Sequence, residues 1–260
     1  MTDLHPVLAG FLASAAAGLG TGLGAVLIYG IRELKSWTED ALLSGAAGIM
    51  LAASFFSLLQ PGLEYGIEAY SSRLWSVAVV VAGMLAGGLL LYFIHQHTPH
   101  EHFHSGREGP DTARVARLWL FVIAITLHNF PEGMAVGVGV ASGDVAGGMA
   151  LTLGIGVQNI PEGLAVATSL LAAGFGRHTA FLIAFATGLV EPVGGLLGAS
   201  MAWFAAALLP AVLAFAGGAM LYIISDEIIP ETHRGDNKHM ATGSLMVGVA
   251  LMLLMTVLLG

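Results

Sequence analysis

The hexapeptide HNFPEG occupies residues 128–133, and QNIPEG follows at residues 158–163. Each contains a glutamate and a proline, and each lies inside a long apolar run, where charge and proline are both unusual. Residues three or four apart share one face of a helix, so His128 and Glu132 point the same way. The second hexapeptide repeats this layout. The pattern predicts two neighbouring helices with matched polar faces, formed by His128, Asn129, Glu132, Gln158, Asn159 and Glu162.

The rest of the chain has the composition of a helical membrane protein. Of its 260 residues, 56% are hydrophobic and 10% are charged, and the mean hydropathy is +0.82. Apolar runs of about 20 residues are long enough to cross a bilayer as helices. They predict an all-α polytopic membrane protein with eight transmembrane helices in a single transmembrane domain, residues 1–260. The predicted spans are 7–31, 40–60, 74–95, 116–140, 146–172, 178–203, 209–229 and 241–259.

The lack of cysteine and the lack of a basic N-terminal stretch exclude some kinds of metal site and argue against a cleaved signal peptide. The chain contains no cysteine, which excludes disulfides and thiolate metal sites. The first residues lack the basic stretch that begins a signal peptide, so they are interpreted as part of a retained first span. The net charge of −8 says little about partners, because several acids lie inside apolar runs, and no nucleic-acid partner is expected.

Eight of the nine Lys and Arg residues fall on one side of the predicted spans. These eight are Arg32, Lys35, Arg107, Arg114, Arg117, Arg177, Arg234 and Lys238. Arg73 alone lies on the other side. Because cytoplasmic connections carry an excess of basic residues, both termini are predicted to lie outside the cytoplasm. The expected location is the bacterial inner membrane.

Two similar segments suggest an internal repeat. AAGIML at 46–51 lies in the second span and AGGAML at 216–221 lies in the seventh, and each span is predicted to end in a proline-containing turn. The two spans run in opposite directions. Spans 1–3 and 6–8 are therefore expected to form an inverted repeat around spans 4–5, a 3+2+3 arrangement. Chance similarity in a chain rich in Ala, Gly, Met and Leu explains the match equally well.

The hexapeptides lie about twelve residues into their spans, which is near the bilayer midplane at a rise of 1.5 Å per residue. Pro131 and Pro161 lack the N–H that a helix requires, so each leaves a backbone carbonyl without its partner. Such a carbonyl is tolerated in a membrane only against protein, water or a ligand. The short connection at 141–144 should pack the two helices antiparallel, which brings two carboxylates, one imidazole and three amides to one depth.

These acids need a cation, because no Lys or Arg lies in the middle of a predicted span, and Arg117 is only the second residue of the span 116–140. Protons and a metal ion are the two candidates. Imidazole together with carboxylate and amide oxygens suits Zn²⁺, Fe²⁺, Mn²⁺ or Co²⁺ better than Ca²⁺ or Mg²⁺. The alternative is a buried polar cluster that only holds helices together.

Four further residues are candidates for the same chemistry. Glu191, followed by Pro192, lies in the middle of the sixth span and offers a third carboxylate. Met50 offers a thioether, although a membrane methionine more often serves packing. Asp226 and Glu227 lie near the cytoplasmic end of the seventh span, as exit ligands or as ordinary interfacial charges.

The connection between the third and fourth spans, at about residues 95–115, is rich in histidine. Neutral imidazole is the commonest metal ligand, so this cytoplasmic loop is predicted to bind metal. A flexible polar loop with incidental histidines is the alternative. The five residues are His95, His97, His100, His102 and His104.

Together, the paired PEG motifs, the eight predicted spans and the His-rich loop resemble the ZIP family of divalent-metal transporters, in particular its bacterial GufA-like branch. The resemblance covers essentially the whole chain. It implies transport of Zn²⁺, with Cd²⁺, Fe²⁺, Mn²⁺ and Co²⁺ as further candidates, into the cytoplasm through a binuclear site. It implies no organic cofactor.

The resemblance also implies a ligand set for each metal ion. The first set is His128, Glu132, Gln158, Glu162 and Met50. The second set is Asn129, Glu132, Asn159, Glu162 and Glu191, so both PEG glutamates would bridge. The branch often has Asp at the position of Asn159. The amide keeps an oxygen but loses a charge, which implies a weaker second site and leaves open whether both sites fill together.

Two other functions compete with transport. An intramembrane di-metal enzyme is one, but the single H-E-x-x-H match, at residues 100–104, and the E-x-x-H pair within it lie in the His-rich loop rather than in a predicted span. A metal sensor or storage protein is the other. Such a protein would use only the His-rich loop and would not need eight membrane spans. No Walker motif is present to couple transport to ATP. The expected partners are divalent metal ions and the lipid bilayer, with a homodimer among the options for assembly.

Overall fold

The computed structural model describes residues 4–30, 35–97, 111–204, 206–233 and 237–259. In these residues the backbone is helical apart from short connections, and it contains no β-strand. The all-α prediction is therefore confirmed. In chain order the α-helices are α1 (Pro6–Val26), α2 (Ser36–Ala53), α3 (Gln60–Tyr70), α4 (Arg73–His97), α5 (Asp111–Ala141), α6 (Val145–Ala172), α7 (Arg177–Gly188), α8 (Glu191–Phe204), α9 (Leu209–Ile223), α10 (Ile229–Thr232) and α11 (Lys238–Leu259).

Six helical segments of the described chain are long and apolar enough to cross a membrane. They are Pro6–Tyr29, Ser36–Tyr70, Arg73–Ile94, Arg177–Phe204, Leu209–Thr232 and Lys238–Leu258. Two more long helices, α5 with 31 residues and α6 with 28 residues, carry the polar hexapeptides. The chain is accordingly an integral, multi-pass membrane protein.

Large apolar side chains cover the outer surface of the helices. Leu74 is 83% exposed, Leu258 is 72% exposed and Val247 is 68% exposed. A water-soluble protein rarely exposes contiguous apolar surface of this kind, whereas the hydrocarbon of a bilayer solvates it. The outward-facing residues thus define a surface for lipid.

Helix α1 lies at the centre of the helices that carry the polar residues. It packs against α5, α6, α7 and α8, and most of its buried residues are Gly, Ala, Ser or Thr. Small residues let two helix backbones approach closely. At Gly24, for example, an added Cβ would collide with the backbone carbonyl of Ile160 on α6. The close approach of α1 to α6 therefore requires glycine at this position.

The predicted proline turns at the ends of the second and seventh spans are wrong. The second span passes through a π-helical segment, Ser54–Leu59, and continues as α3 to Tyr70. The seventh span passes through a second π-helical segment, Ile224–Ile228, and continues as α10. In both cases the proline lies in the first turn after the π segment, where its missing N–H is tolerated. A wider π turn thus accommodates a proline that would otherwise end the helix.

The sixth predicted span, 178–203, is not one continuous helix. Helix α7 ends at Gly188, Leu189 and Val190 form a turn, and α8 begins at Glu191. Pro192 explains the interruption, because it cannot donate a hydrogen bond to the carbonyl of Gly188 four residues earlier. Glu191 therefore lies at the start of a helix rather than in the middle of one.

The glycine contacts generate a test of the packing between α4 and α9. An added Cβ at Gly87 would collide with the carbonyl of Phe215, so Gly87→Ala should cost about 1–3 kcal/mol in stability by forcing the helices apart. Gly243 on α11 is a matched control, because an added Cβ there meets nothing within 4 Å. Thermal unfolding in detergent should show a lower midpoint for Gly87→Ala only. Equal midpoints for both variants would contradict the close packing of α4 on α9.

Candidate functional site

The two hexapeptides lie in the interiors of α5 and α6, and each helix continues through its proline without a break. Their amide and carboxylate side chains are turned inward. The fully buried ones are Asn129, Glu132, Gln158 and Asn159, and Glu162 is 4% exposed. The polar side chains of these five residues therefore lie inside the helix assembly, away from lipid.

Side-chain hydrogen bonds join α6 to three other helices at this point. Gln158 on α6 donates from Nε2 to Oε1 of Glu132 on α5, at 2.8 Å. Asn159 donates from Nδ2 to Oε1 of Glu191 at the start of α8, at 2.7 Å. The same Nδ2 donates to the backbone carbonyl of Ala17 on α1, at 3.0 Å. The amides of α6 therefore hold one carboxylate on each side.

Several oxygens of the cluster have no hydrogen-bond partner among the described residues. They are Oε2 of Glu132, Oε1 of Gln158, Oδ1 of Asn129, Oδ1 of Asn159 and Oε2 of Glu191. Leaving a buried polar atom unpaired costs about 1–3 kcal/mol, and more for a charged group. Nδ2 of Asn129, a donor, is also without a partner among the described residues. The five oxygens can accept from a donor or bind a cation. An oxygen-lined site for a cation is the chemistry that this arrangement favours.

The three carboxylates of the cluster are close enough to repel one another. Glu132 is within electrostatic range of both Glu162 and Glu191. In the described part of the chain, however, no group of three or more His, Asp or Glu side chains is placed to hold a metal ion. Amide N–H groups occupy one oxygen of Glu132 and one of Glu191 instead. A cation would therefore be bound by the free oxygens, or would displace those N–H donors.

The remaining predicted ligands have different outcomes. His128 lies on α5 one turn before Glu132, and its side chain is outside the described residues. Met50 is fully buried in an apolar cluster that includes Ile155 of α6 and Met220 of α9. The structure therefore shows a packing role for Met50, and its role as a ligand stays a prediction.

Asp226 and Glu227 lie apart from the buried cluster, in the π-helical segment at the end of α9. Asp226 is exposed, Glu227 is half-buried, and Tyr222 one turn earlier donates a hydrogen bond to Asp226. Their place at the end of a span fits either of the two predicted roles, as exit ligands or as interfacial charges.

The structure describes only the start of the predicted His-rich loop. The backbone of His95 and His97 belongs to the last turn of α4, and their side chains are outside the described residues. His100, His102 and His104 lie outside the described ranges altogether. The metal-binding role of this loop stays a prediction.

The sequence analysis missed the part that α1 plays. The Ala17 carbonyl is a direct partner of Asn159, and Gly18 packs against Glu191, whose Oε1 would lie 3.3 Å from an added Cβ. A run of small residues without charge gave no chemical signal. The spacing of the glycines was the available signal. The alignment that matches residues 46–51 with residues 216–221 also matches Gly18 with Gly188, so it pairs α1 with α7 in the predicted repeat.

Comparison with known proteins decides the family. The family model described as "ZIP Zinc transporter" matches residues 93–256 of the chain. This chain belongs to the ZIP zinc transporter family. A relative from Bordetella bronchiseptica named "Zinc transporter ZIPB" is 46% identical over 96% of this chain and 81% of its own length. The resemblance predicted from the hexapeptides is thereby confirmed.

Two further ZIP relatives define the range of the family. "Zinc transporter GufA" from Myxococcus xanthus is 45% identical over 97% of this chain and 99% of its own length, which supports the GufA-like branch. "Zinc transporter ZIP11" from Homo sapiens is 30% identical over 92% of this chain and 94% of its own length. Membership of a family of transporters favours transport over an intramembrane enzyme.

The hydrogen bond between Asn159 and Glu191 generates a second test. Asn159→Asp replaces the donor by a second carboxylate 2.7 Å from the first, so the variant should unfold at a lower temperature in a metal chelator. Asn237→Asp is a matched control, because Asn237 donates to Asp40 at 3.0 Å in a partly buried pair at the helix ends. At this partly exposed position, solvent screens the repulsion between the two carboxylates, so the unfolding temperature should fall only slightly. Equal losses for the two variants would contradict a specific role for the buried pair.

Proposed function

We propose that this chain carries Zn²⁺ across the membrane into the cytoplasm, and that the cluster of buried carboxylates and amides between α5, α6 and α8 binds the ion on its way. The observation that carries the proposal is the burial of Glu132, Glu162 and Glu191 together, without a Lys or Arg in the middle of a span. Acids buried in a membrane are costly unless a cation offsets them. The names of the relatives support Zn²⁺ as that cation.

The proposed binuclear site divides the cluster between two ions. The first ion would bind His128, Glu132, Gln158, Glu162 and Met50. The second ion would bind Asn129, Glu132, Asn159, Glu162 and Glu191. The burial of the amides and carboxylates supports both sets, and so do the unpaired oxygens of Asn129, Glu132, Gln158, Asn159 and Glu191. The same ligands accept Cd²⁺, Fe²⁺, Mn²⁺ and Co²⁺, so these ions are proposed as weaker or alternative substrates.

The proposed architecture has eight transmembrane helices in one domain, with spans 1–3 and 6–8 as an inverted repeat around α5 and α6. Matching contacts support the repeat. Helix α2 packs on α11 through Gly48 and Gly248, and α9 packs on α4 through Gly218 and Gly87. Gly48 and Gly218 occupy the same place in AAGIML and AGGAML. A π-helical segment then follows in each half, at Ser54–Leu59 and Ile224–Ile228.

The proposed orientation has both termini outside the cytoplasm, in the bacterial inner membrane, and rests on the excess of basic residues on one side. In this orientation Asp226 and Glu227 lie where the ion leaves, and the His-rich loop lies in the cytoplasm. A homodimer is compatible with the extensive apolar outer surface. The bilayer is the other partner of that surface.

Vesicles test the function directly. The purified protein is reconstituted into metal-free vesicles that enclose a zinc-sensitive dye, and Zn²⁺ is added outside. The dye should respond faster than in vesicles without protein. An equal response in both would contradict zinc transport, and competition by Cd²⁺, Fe²⁺, Mn²⁺ or Co²⁺ would rank the substrates.

In the same vesicles, Glu132→Gln and Glu162→Gln should each abolish uptake. Each variant keeps the shape of the side chain but removes a negative charge that no neighbouring group can replace. Glu68→Gln is a matched control, since Glu68 is exposed near the end of α3, and it should transport like the unmodified protein. Near-normal uptake by either buried variant, at equal amounts of folded protein, would remove that glutamate from the site.

Replacing the five loop histidines by serine should leave zinc uptake intact, because the buried ligands are unchanged. The replaced residues are His95, His97, His100, His102 and His104. The expected change is in how uptake responds to zinc on the cytoplasmic side, measured with a series of zinc concentrations on that side of the vesicles. Complete loss of uptake in folded protein would instead place the loop in the transport path.

A further inference from the structure

Thr21 is the one threonine in the described helix interiors whose hydroxyl is buried and unpaired. A threonine in a helix ordinarily donates to a carbonyl one turn earlier, as Thr126 does to Val122 at 2.7 Å and Thr187 to Ala184 at 2.7 Å. Thr21 is 0% exposed, and its Oγ1 has no hydrogen-bond partner among the described residues. A valine would fill the same space without burying a hydroxyl. The hydroxyls of Ser44 and Ser57 are also buried and unpaired, so it is the position of Thr21 beside the carboxylate cluster that points to a ligand.

Thr21 lies beside the buried cluster. Its backbone carbonyl packs against Gly163, the last residue of QNIPEG, where an added Cβ would collide with it. Its Oγ1 lies over Gly188, where an added Cβ would be 3.0 Å from that oxygen. Gly188 is the last residue of α7, three residues before Glu191. One turn earlier on α1, the Ala17 carbonyl accepts the hydrogen bond from Asn159.

The position of Thr21 also mirrors that of Glu191. The Glu191 carbonyl packs against Gly133, the last residue of HNFPEG, as the Thr21 carbonyl packs against Gly163. Glu191 Oε1 lies over Gly18 of α1, as Thr21 Oγ1 lies over Gly188 of α7. Each of these two side chains is therefore placed by a glycine of the opposite helix. Thr21 and Glu191 therefore occupy corresponding places, each against the last glycine of one hexapeptide.

We propose that the Thr21 hydroxyl supplies an oxygen ligand from α1 to the second metal site, opposite Glu191. The proposal rests on the proposed function, because it assigns a further ligand to the same site. A hydroxyl oxygen is a neutral ligand that suits the hard or borderline divalent cations already considered. It adds no negative charge to a cluster of three carboxylates. Since conduction requires an ion to leave as well as to bind, a weak neutral ligand on one side favours release.

Three substitutions test this assignment. Thr21→Val keeps the volume and removes the hydroxyl, Thr21→Ala removes both, and Thr21→Ser keeps the hydroxyl. Thr187→Val is the matched control, because Thr187 is a buried threonine on α7 whose hydroxyl is satisfied by its own helix. Zinc binding is measured by calorimetric titration of the full chain in detergent, and zinc uptake is measured in vesicles.

Thr21→Val and Thr21→Ala should weaken the lower-affinity zinc-binding step by about three- to tenfold, the range that one lost polar interaction produces. The higher-affinity step should stay within error. Thr21→Ser should restore the weaker step, and Thr187→Val should leave both steps unchanged. Rescue by serine separates a ligand from a packing residue.

Two results would overturn the assignment. One is unchanged zinc binding in both Thr21→Val and Thr21→Ala. The other is an equal loss in Thr21→Ser and Thr21→Ala, which would assign the effect to lost packing. Failure of the proposed function itself is distinguishable, because then the unmodified protein would neither bind nor take up Zn²⁺.

Discussion

The burial of three carboxylates among helices that cross a membrane is the constraint on which the rest of the structure depends. Glu132, Glu162 and Glu191 cannot be hydrated by lipid, and no Lys or Arg lies in the middle of a span to neutralise them. The protein meets this constraint with neutral amides. Gln158 donates to Glu132 and Asn159 donates to Glu191, so one helix supplies hydrogen bonds to two others. This arrangement keeps the negative charge of the cluster available to a cation.

The hydrogen bond from the short side chain of Asn159 to the backbone carbonyl of Ala17 requires α6 and α1 to lie close together, and glycine provides that closeness. The last residue of each hexapeptide, Gly133 or Gly163, lies directly against a carbonyl of the neighbouring helix, where a larger residue would collide. Helix α1 contributes a run of small residues for the same purpose. Packing and site chemistry are therefore inseparable here, since the residues that bring the helices together also fix where the polar side chains meet.

The sequence was sufficient to predict that the protein is all-helical and to identify most of the residues in the buried polar cluster. HNFPEG and QNIPEG have a helical spacing that predicts which side chains turn inward, and Asn129, Glu132, Gln158 and Asn159 are indeed fully buried. Local spacing could not predict the partners of these side chains, because the bond from Asn159 to the Ala17 carbonyl joins residues that are far apart in the chain.

The π-helical segments and the interruption before Glu191 were also not predictable from the apolar pattern. Hydropathy does not distinguish a π turn from an α turn, so the prolines of the second and seventh spans were interpreted as turns. In the sixth span Pro192 was a visible signal for the interruption, but the surrounding apolar residues favoured one continuous helix.

The interruption between α7 and α8 also shapes the electric field within the membrane. Peptide dipoles add along a helix, so the beginning of α8 carries a partial positive charge of roughly +0.5 elementary charge. Glu191 lies in the first turn of α8 and is fully buried. In a continuous helix this carboxylate would lie far from both helix ends, where the helix dipole neither stabilises nor destabilises its charge appreciably. Because the helix restarts at Glu191, the first amides of α8 lie next to this carboxylate, while the C-terminal end of α7, at Gly188, carries the opposite partial charge and offsets part of that field. The backbone thus compensates the charge of Glu191 only in part, and the remainder is left to a cation.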